Sequence, residues 1–298
     1  MEELNLKPYN GMKDSSILNE AKNSLKEDEA VYSYIRDKLH LTNGQVDENL
    51  AVLLDFQEDF HYCEHCPGFE ECDKNEPHYV MKLDFDGKLV VRQFEACPVY
   101  RKRQEYFSKF LRHDFSDEWN ESGIQSIDRS ADRKDVIRVF MKIYKGQADR
   151  WVYLTGGKGK SYLLACLAND FAKIKGPIAY CDTSLLIERL KELSFSKIRD
   201  AKERLAKMLD SYGSCPLLIL DGFGNEFKSD YVFSSLLYPI LSARRSNNVP
   251  TCFASDFTID EVIGEYKGKI GALRAKQFEK LLKEQTKGEI VLSSLGIY

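Results

Sequence analysis

The segment Thr155-Gly156-Gly157-Lys158-Gly159-Lys160-Ser161-Tyr162 is built from the residue types that hold a phosphate chain. Glycines let a turn aim its backbone N–H groups inward at phosphate oxygens, and a helix that begins at the turn adds its partial positive charge. At the end of such a turn Lys160 reaches toward β- and γ-phosphates, and the Ser161 hydroxyl is placed to ligate Mg²⁺. The expected ligand is therefore ATP with Mg²⁺. The spacing departs from the full Gly-x-x-x-x-Gly-Lys-Ser/Thr pattern, which needs a glycine at the position of Leu154. Either Gly156 opens a shortened loop, or Leu154 replaces the first glycine.

A phosphate loop needs an acid at the end of a second buried strand to hold the metal's water. Pro216-Leu217-Leu218-Ile219-Leu220-Asp221 supplies one, with Asp221 at its end. ATPases of this kind usually carry a second acid next, to polarise the attacking water. Here Gly222 follows, and the nearest carboxylate is Glu226. Nucleotide binding is thus better supported than rapid hydrolysis.

A second chemistry is written in the cysteines. Cys63-x-x-Cys66 is followed by Cys72, His78 and Cys97. Two cysteines separated by two residues bind one Zn²⁺ from a tight turn, and a second pair of donors closes the tetrahedron. Cys63, Cys66, His78 and Cys97 are the expected ligands, with Cys72 the rival for the third place. His61 and His65 crowd the first pair. Four protein ligands leave no open position, so this zinc would be structural. Cys166, Cys181, Cys215 and Cys252 lie in apolar surroundings and read as small buried hydrophobes.

These residues need elements to position them. From about 133 onward helix and strand patterns alternate, with strands expected at 151–155, 178–181, 217–221, 251–255 and 289–292. That alternation implies an α/β domain, a mostly parallel sheet flanked by helices. Ahead of it, 15–60 shows helical spacing with a break at Thr42-Asn43-Gly44. The run 79–94 reads as a hairpin turning at Asp86-Gly87, where glycine accepts the positive φ of a type I′ turn. The charged stretch 106–132 reads as a linker, so the expected organisation is a helical and zinc-binding domain over 1–105 and a nucleotide-binding domain over 133–298.

Composition narrows the classes. A net charge of −4 argues against a general nucleic-acid coat, though a local basic patch is compatible with it. The opening MEELNLKPYN has no apolar run and is not expected to be a secretory signal. No stretch reaches the ~20 apolar residues of a membrane helix, so no membrane association is expected. A cytoplasmic setting follows, in which the eight cysteines are thiols or metal ligands.

With both modules in view, the chain resembles the DnaI family of bacterial replicative helicase loaders. The resemblance runs through Cys63-Glu-His-Cys66-Pro67-Gly68, His78 and Cys97-Pro98. It continues through Gly159-Lys160-Ser161-Tyr162-Leu163-Leu164, Leu218-Ile219-Leu220-Asp221-Gly222-Phe223-Gly224 and Val249-Pro250-Thr251 to Ala254-Ser255-Asp256-Phe257. It implies an AAA+ P-loop domain behind a zinc module that docks on the hexameric replicative DNA helicase. In the primosome the pair would deliver that ring onto single-stranded DNA, with the loaders assembling as a homo-oligomer on the helicase.

Departures from the family bear on turnover. Asp256 stands where the family has a sensor asparagine, and a carboxylate there repels a γ-phosphate unless it is turned away or paired with metal. Arg244 or Arg245 is placed to act on a neighbouring subunit's nucleotide, and Arg274 and Lys280 fall near a late-helix sensor arginine. Two other readings stand beside the loader: a non-catalytic adaptor on an ATPase scaffold, and a transposition-associated AAA+ ATPase, which the zinc module argues against. Lys191, Lys197, Arg199, Lys202 and Arg204 are the candidate DNA contacts, although a solvated helix face explains them equally well.

Overall fold

The computed structural model describes residues 15–148 and 150–293; the opening MEELNLKPYN lies outside them. The chain forms two compact units, Met1–Glu105 and Tyr106–Tyr298.

The first unit begins with α1 (Ser15–Glu27), α2 (Glu29–Lys38), α3 (Asn43–Glu48) and α4 (Leu50–Glu64). Side-chain caps divide the helical stretch. Asp28 accepts from the Val31 N–H at 3.2 Å and starts α2. The expected break at Thr42-Asn43-Gly44 is a helix start, in which Thr42 and Gln45 form a capping box for α3. A hairpin of β1 (Tyr79–Phe85) and β2 (Val90–Ala96) follows. Its register pairs Phe85 with Val90, which leaves four residues in the turn rather than the two of a type I′ turn. The Asp86 carboxylate decides this, because Oδ1 accepts from the N–H groups of Lys88 and Leu89 at 2.9 and 2.7 Å and rounds the corner itself. Leu25, Val31, Ile35, Leu53 and Phe56 form the core against Leu83 and Val90. Helix α5 (Pro98–Ser108) crosses the unit boundary.

The second unit runs β3 (Phe110–His113), α6 (Ala131–Tyr144), β4 (Val152–Gly156), α7 (Lys160–Lys175), β5 (Ile178–Asp182), α8 (Thr183–Phe195), α9 (Ala201–Ser214) and β6 (Leu218–Asp221). After a π-helical turn at Val232–Leu237 come α10 (Tyr238–Ser246), β7 (Thr251–Ala254), α11 (Ile259–Ile270), α12 (Ala272–Thr286) and β8 (Ile290–Leu292). The strands form one sheet in the order β3-β5-β6-β7-β4-β8, with every pair parallel. Central parallel strands are covered on both faces and so read as unbroken apolar runs. Val152, Tyr153, Leu154, Leu218, Ile219 and Leu220 are all at most 1 % exposed. Alternate residues enter different cores: Tyr153, Leu218, Leu220 and Phe253 on one face, Val152, Leu154, Ile219 and Cys252 on the other.

The sequence reading of 106–132 as a linker is corrected. Its strand β3 pairs with β5, and Phe115, Ile124 and Ile127 are buried in the second of those cores. Among the described residues, no helix is long and apolar enough to cross a membrane.

Candidate nucleotide site

The sheet order places the carboxyl ends of β4, β7 and β6 side by side, the edge at which open α/β sheets bind ligands. Strand β4 continues through Gly156, so Leu154 is a core strand residue and the turn into α7 is a shortened loop. Gly156 has φ +84°, and a Cβ there would lie 2.5 Å from the Leu292 carbonyl oxygen of β8. Any side chain at 156 therefore collides with backbone. Gly159 is left-handed, at φ +93°, and caps α7. The Gly157 N–H is spent on the Leu292 carbonyl at 2.8 Å. The first amides of α7 have no intrahelical partner by helix geometry and remain as donors.

Lys160 folds back over this loop. Its Nζ donates to the carbonyls of Gly156 and Gly157, each at 3.0 Å, and pairs with Asp256 Oδ1 at 3.0 Å. Ser161 Oγ donates to Asp221 Oδ1 at 2.9 Å. The Tyr180 hydroxyl of β5 lies 2.8 Å from Asp221 Oδ2 and 3.1 Å from the Ser161 carbonyl. Burial first, and then the Asp221 charge, push the Tyr180 phenol well above its ordinary range, so it stays a donor. Thr183 Oγ1 donates to the Asp221 carbonyl at 2.7 Å, which fixes the strand end.

These groups enclose a cavity of about 290 Å³ lined by Gly159, Lys160, Ser161, Asp182, Asp221, Gly222, Ala254, Ser255 and Asp256. A serine hydroxyl and a carboxylate together, with further carboxylates nearby, form the hard oxygen set that suits Mg²⁺. The loop, Lys160, and the free amides of α7 suit a phosphate chain.

The sequence-selected residues separate into those the cavity gathers and those it does not. Gly159, Lys160, Ser161, Asp221 and Asp256 line it. Gly156 and Gly157 shape the loop behind it, and Lys158 is exposed on the turn. Thr155 is buried and donates to the Phe257 carbonyl at 3.4 Å. Tyr162 packs edge-on to Trp119, 5.7 Å between ring centres.

Two assignments are corrected. Glu226 is 2 % exposed. Its Oε2 accepts from the Gly224 N–H and its Oε1 from the Tyr266 hydroxyl, both at 2.7 Å. Both oxygens are committed to holding the loop after β6, so Glu226 is no water-polarising acid. Arg244 is fully buried and donates to Thr251 Oγ1 at 2.8 Å and to the carbonyls of Tyr212, Cys215 and Pro250 at 2.7, 3.0 and 2.5 Å. It ties α9 to the start of β7 and presents nothing to a neighbouring subunit. Arg274 pairs with Asp230 and donates to Ser234 Oγ at 3.2 Å, and Lys280 pairs with Glu284 at 3.7 Å. Neither lines the cavity.

Two site residues escaped the sequence reading. Asp182 ends β5 opposite Asp221 in the parallel register, and Tyr180 sits two residues before it. A strand ending in an acid was the available signal for Asp182. Nothing local marks Tyr180.

In the first unit the proposed metal ligands are engaged otherwise. Cys63 Sγ accepts from Lys74 Nζ at 3.2 Å, and Cys97 Sγ from the Tyr100 N–H at 3.3 Å. The His78 ring stacks on Phe69, 4.0 Å between centres, and the His78 N–H approaches Cys72 Sγ at 3.5 Å. Cys66 is exposed. Among the described residues, no three His, Cys, Asp or Glu side chains converge to hold a metal ion. Cys63, Cys66, His78 and Cys97 do not converge in this arrangement, so a shared zinc would require these side chains to turn toward one another.

A parallel sheet of this order, with a glycine loop after β4 and an acid closing β6, the next strand but one, has the fold of AAA+ P-loop domains. No family model matches the chain. It is 25% identical over 267 residues to the replicative helicase loader DnaI of Bacillus subtilis (strain 168), covering 82% of this chain and 80% of that protein. In fold it is similar to a crystal structure of DnaI, with TM-score 0.51 and 23% identity, covering 62% of this chain and 97% of that one. It is also similar to a candidate primosome component from Streptococcus pyogenes serotype M3, with TM-score 0.50 and 22% identity, covering 64% and 96%.

Proposed function

We propose that this chain is an ATP-binding helicase loader of the cytoplasm, which docks on the hexameric replicative DNA helicase and helps deliver it onto single-stranded DNA. The observation that carries this reading is the extent of the similarity to the Bacillus subtilis loader. It spans 267 residues, more than the whole of the second unit, Tyr106–Tyr298. A shared ATPase fold alone does not reach that far, and the same extent weighs against the transposition-associated reading.

ATP with Mg²⁺ is the ligand that the Lys160, Ser161 and Asp221 cluster favours. Hydrolysis is expected to be slow, because Glu226 is turned away and Asp256 occupies the lysine. Those two features equally favour the second reading, a non-catalytic adaptor on an ATPase scaffold. For DNA, the end of α8 and the loop after β6 add aromatic partners to the basic residues. Phe195 and Phe227 are 68 % and 65 % exposed, and Lys191 Nζ stands 4.4 Å from the centre of the Phe227 ring. Cations interleaved with exposed rings suit stacked, single-stranded bases. Zinc is proposed on donor chemistry alone, from the thiols and imidazole of Cys63, Cys66, His78 and Cys97.

The test is calorimetric titration of the full chain with ATP and Mg²⁺, with Lys160→Ala as control, followed by co-elution with a hexameric replicative helicase. Binding that Lys160→Ala abolishes, together with co-elution, supports the loader. Co-elution without nucleotide binding favours the adaptor, and failure to co-elute overturns the loader reading.

A further inference from the structure

The shortened loop has lost phosphate-binding amides, and a buried cation stands against what remains. Arg133, near the start of α6, is only 4 % exposed. Among the described residues, its guanidinium has neither an ion pair nor a side-chain hydrogen bond. A guanidinium with so little access to water and no protein partner keeps unused donors, which points to a ligand that completes it. Its position says which ligand. A Cβ on Gly159 would lie 3.2 Å from Arg133 Nη2, so the guanidinium rests on the last glycine of the loop, at the entrance to α7. Its charge also acts on Tyr162 and Cys166, in the first two turns of that helix. A side chain at 159 would push the cation back by a few tenths of an ångström.

We propose that Arg133 is a second cation of the nucleotide site, donating its N–H groups to a phosphate oxygen of the bound nucleotide at the α7 end of the loop. It supplies donors where the short turn has fewer amides, one of them already spent on Leu292. Lys160 and Arg133 then share the phosphate chain, which gives the site a cation that Asp256 does not compete for. This inference rests on the nucleotide reading above.

The test compares the full chain with Arg133→Gln and Arg133→Lys, by titration with Mg²⁺-ADP, Mg²⁺-ATP, pyrophosphate and adenosine, alongside melting of the nucleotide-free proteins. Arg133→Gln is expected to weaken ADP, ATP and pyrophosphate by about 10-fold or more. Adenosine should bind both proteins alike, and the nucleotide-free melting temperature should not fall. Arg133→Lys keeps the charge but not the planar fork and should weaken them several-fold. Unchanged phosphate affinity in a folded Arg133→Gln overturns the inference and leaves the nucleotide reading standing. So does a lowered melting temperature with unchanged affinity. If Arg133→Gln does not fold, Arg133→Lys decides, and parental affinity there overturns it. A parent that binds none of the four ligands removes the nucleotide reading itself and the inference with it.

Discussion

Replacing Asp256 by asparagine should tighten ATP binding, and the size of the effect follows from the cavity. Asp256 pairs with Lys160 Nζ at 3.0 Å, with the carboxylate 70 % exposed and the lysine side chain 11 % exposed. A pair with one partner so open to water contributes about 0–1 kcal/mol, and nucleotide entry must give that up. The second contribution is repulsion. A carboxylate about 5 Å from a terminal phosphate, at an effective dielectric of roughly 40–80, costs about 0.8–1.7 kcal/mol per charge pair. Together the two give about 1–3 kcal/mol, or about 5- to 150-fold in the ATP dissociation constant. ADP carries no γ-phosphate to repel and should gain only the first part. Calorimetric titration of parent and Asp256→Asn with Mg²⁺-ATP and Mg²⁺-ADP, at low and high salt, reads both. The ATP gain should exceed the ADP gain and shrink as salt rises. Weaker ATP binding in a folded Asp256→Asn would refute the reasoning and make Asp256 a metal-side ligand.

Arg244→Leu should destabilise the second unit by about 3–5 kcal/mol, because it strands buried carbonyls and Thr251 Oγ1 without their donor. Denaturant unfolding measures it, and a loss under about 1 kcal/mol would show the network to be dispensable. Elemental analysis of the purified full chain should find about one zinc per chain, falling sharply in Cys63→Ser and Cys97→Ser. A zinc-free parent would reject the metal reading.

What the sequence made legible, it made legible through physics that acts locally. Buried parallel strands announce themselves as apolar runs, so 151–155, 178–181, 217–221 and 251–255 sit within a residue or so of β4, β5, β6 and β7. The glycine loop is equally visible, since its turn and the Gly159 conformation demand glycine. The stretch 106–132 was not legible, because Phe110, Phe115, Ile124 and Ile127 occur singly among charges without a period. Charged side chains were misread for a related reason. Whether Glu226 or Arg244 faces solvent is decided by Tyr266, Thr251 and the carbonyls of Tyr212 and Cys215, which are far away in sequence. Tyr180 reaches Asp221 only through the pairing of β5 with β6.

The departures from a full ATPase pattern share one place and one direction. The run of β4 through Gly156 shortens the loop, Gly222 removes the acid beside Asp221, and Asp256 occupies Lys160, all at the carboxyl ends of β4, β6 and β7. Random decay would scatter into the core and strand ends alike. Here Ser161, Asp221, Tyr180 and Thr183 keep a closed hydrogen-bond set at the proposed Mg²⁺ position. A site that retains its metal and phosphate donors while lacking a water-polarising acid is suited to sensing bound nucleotide. On the loader reading proposed above, slow hydrolysis would leave release to be set by the partners and not by the rate of turnover.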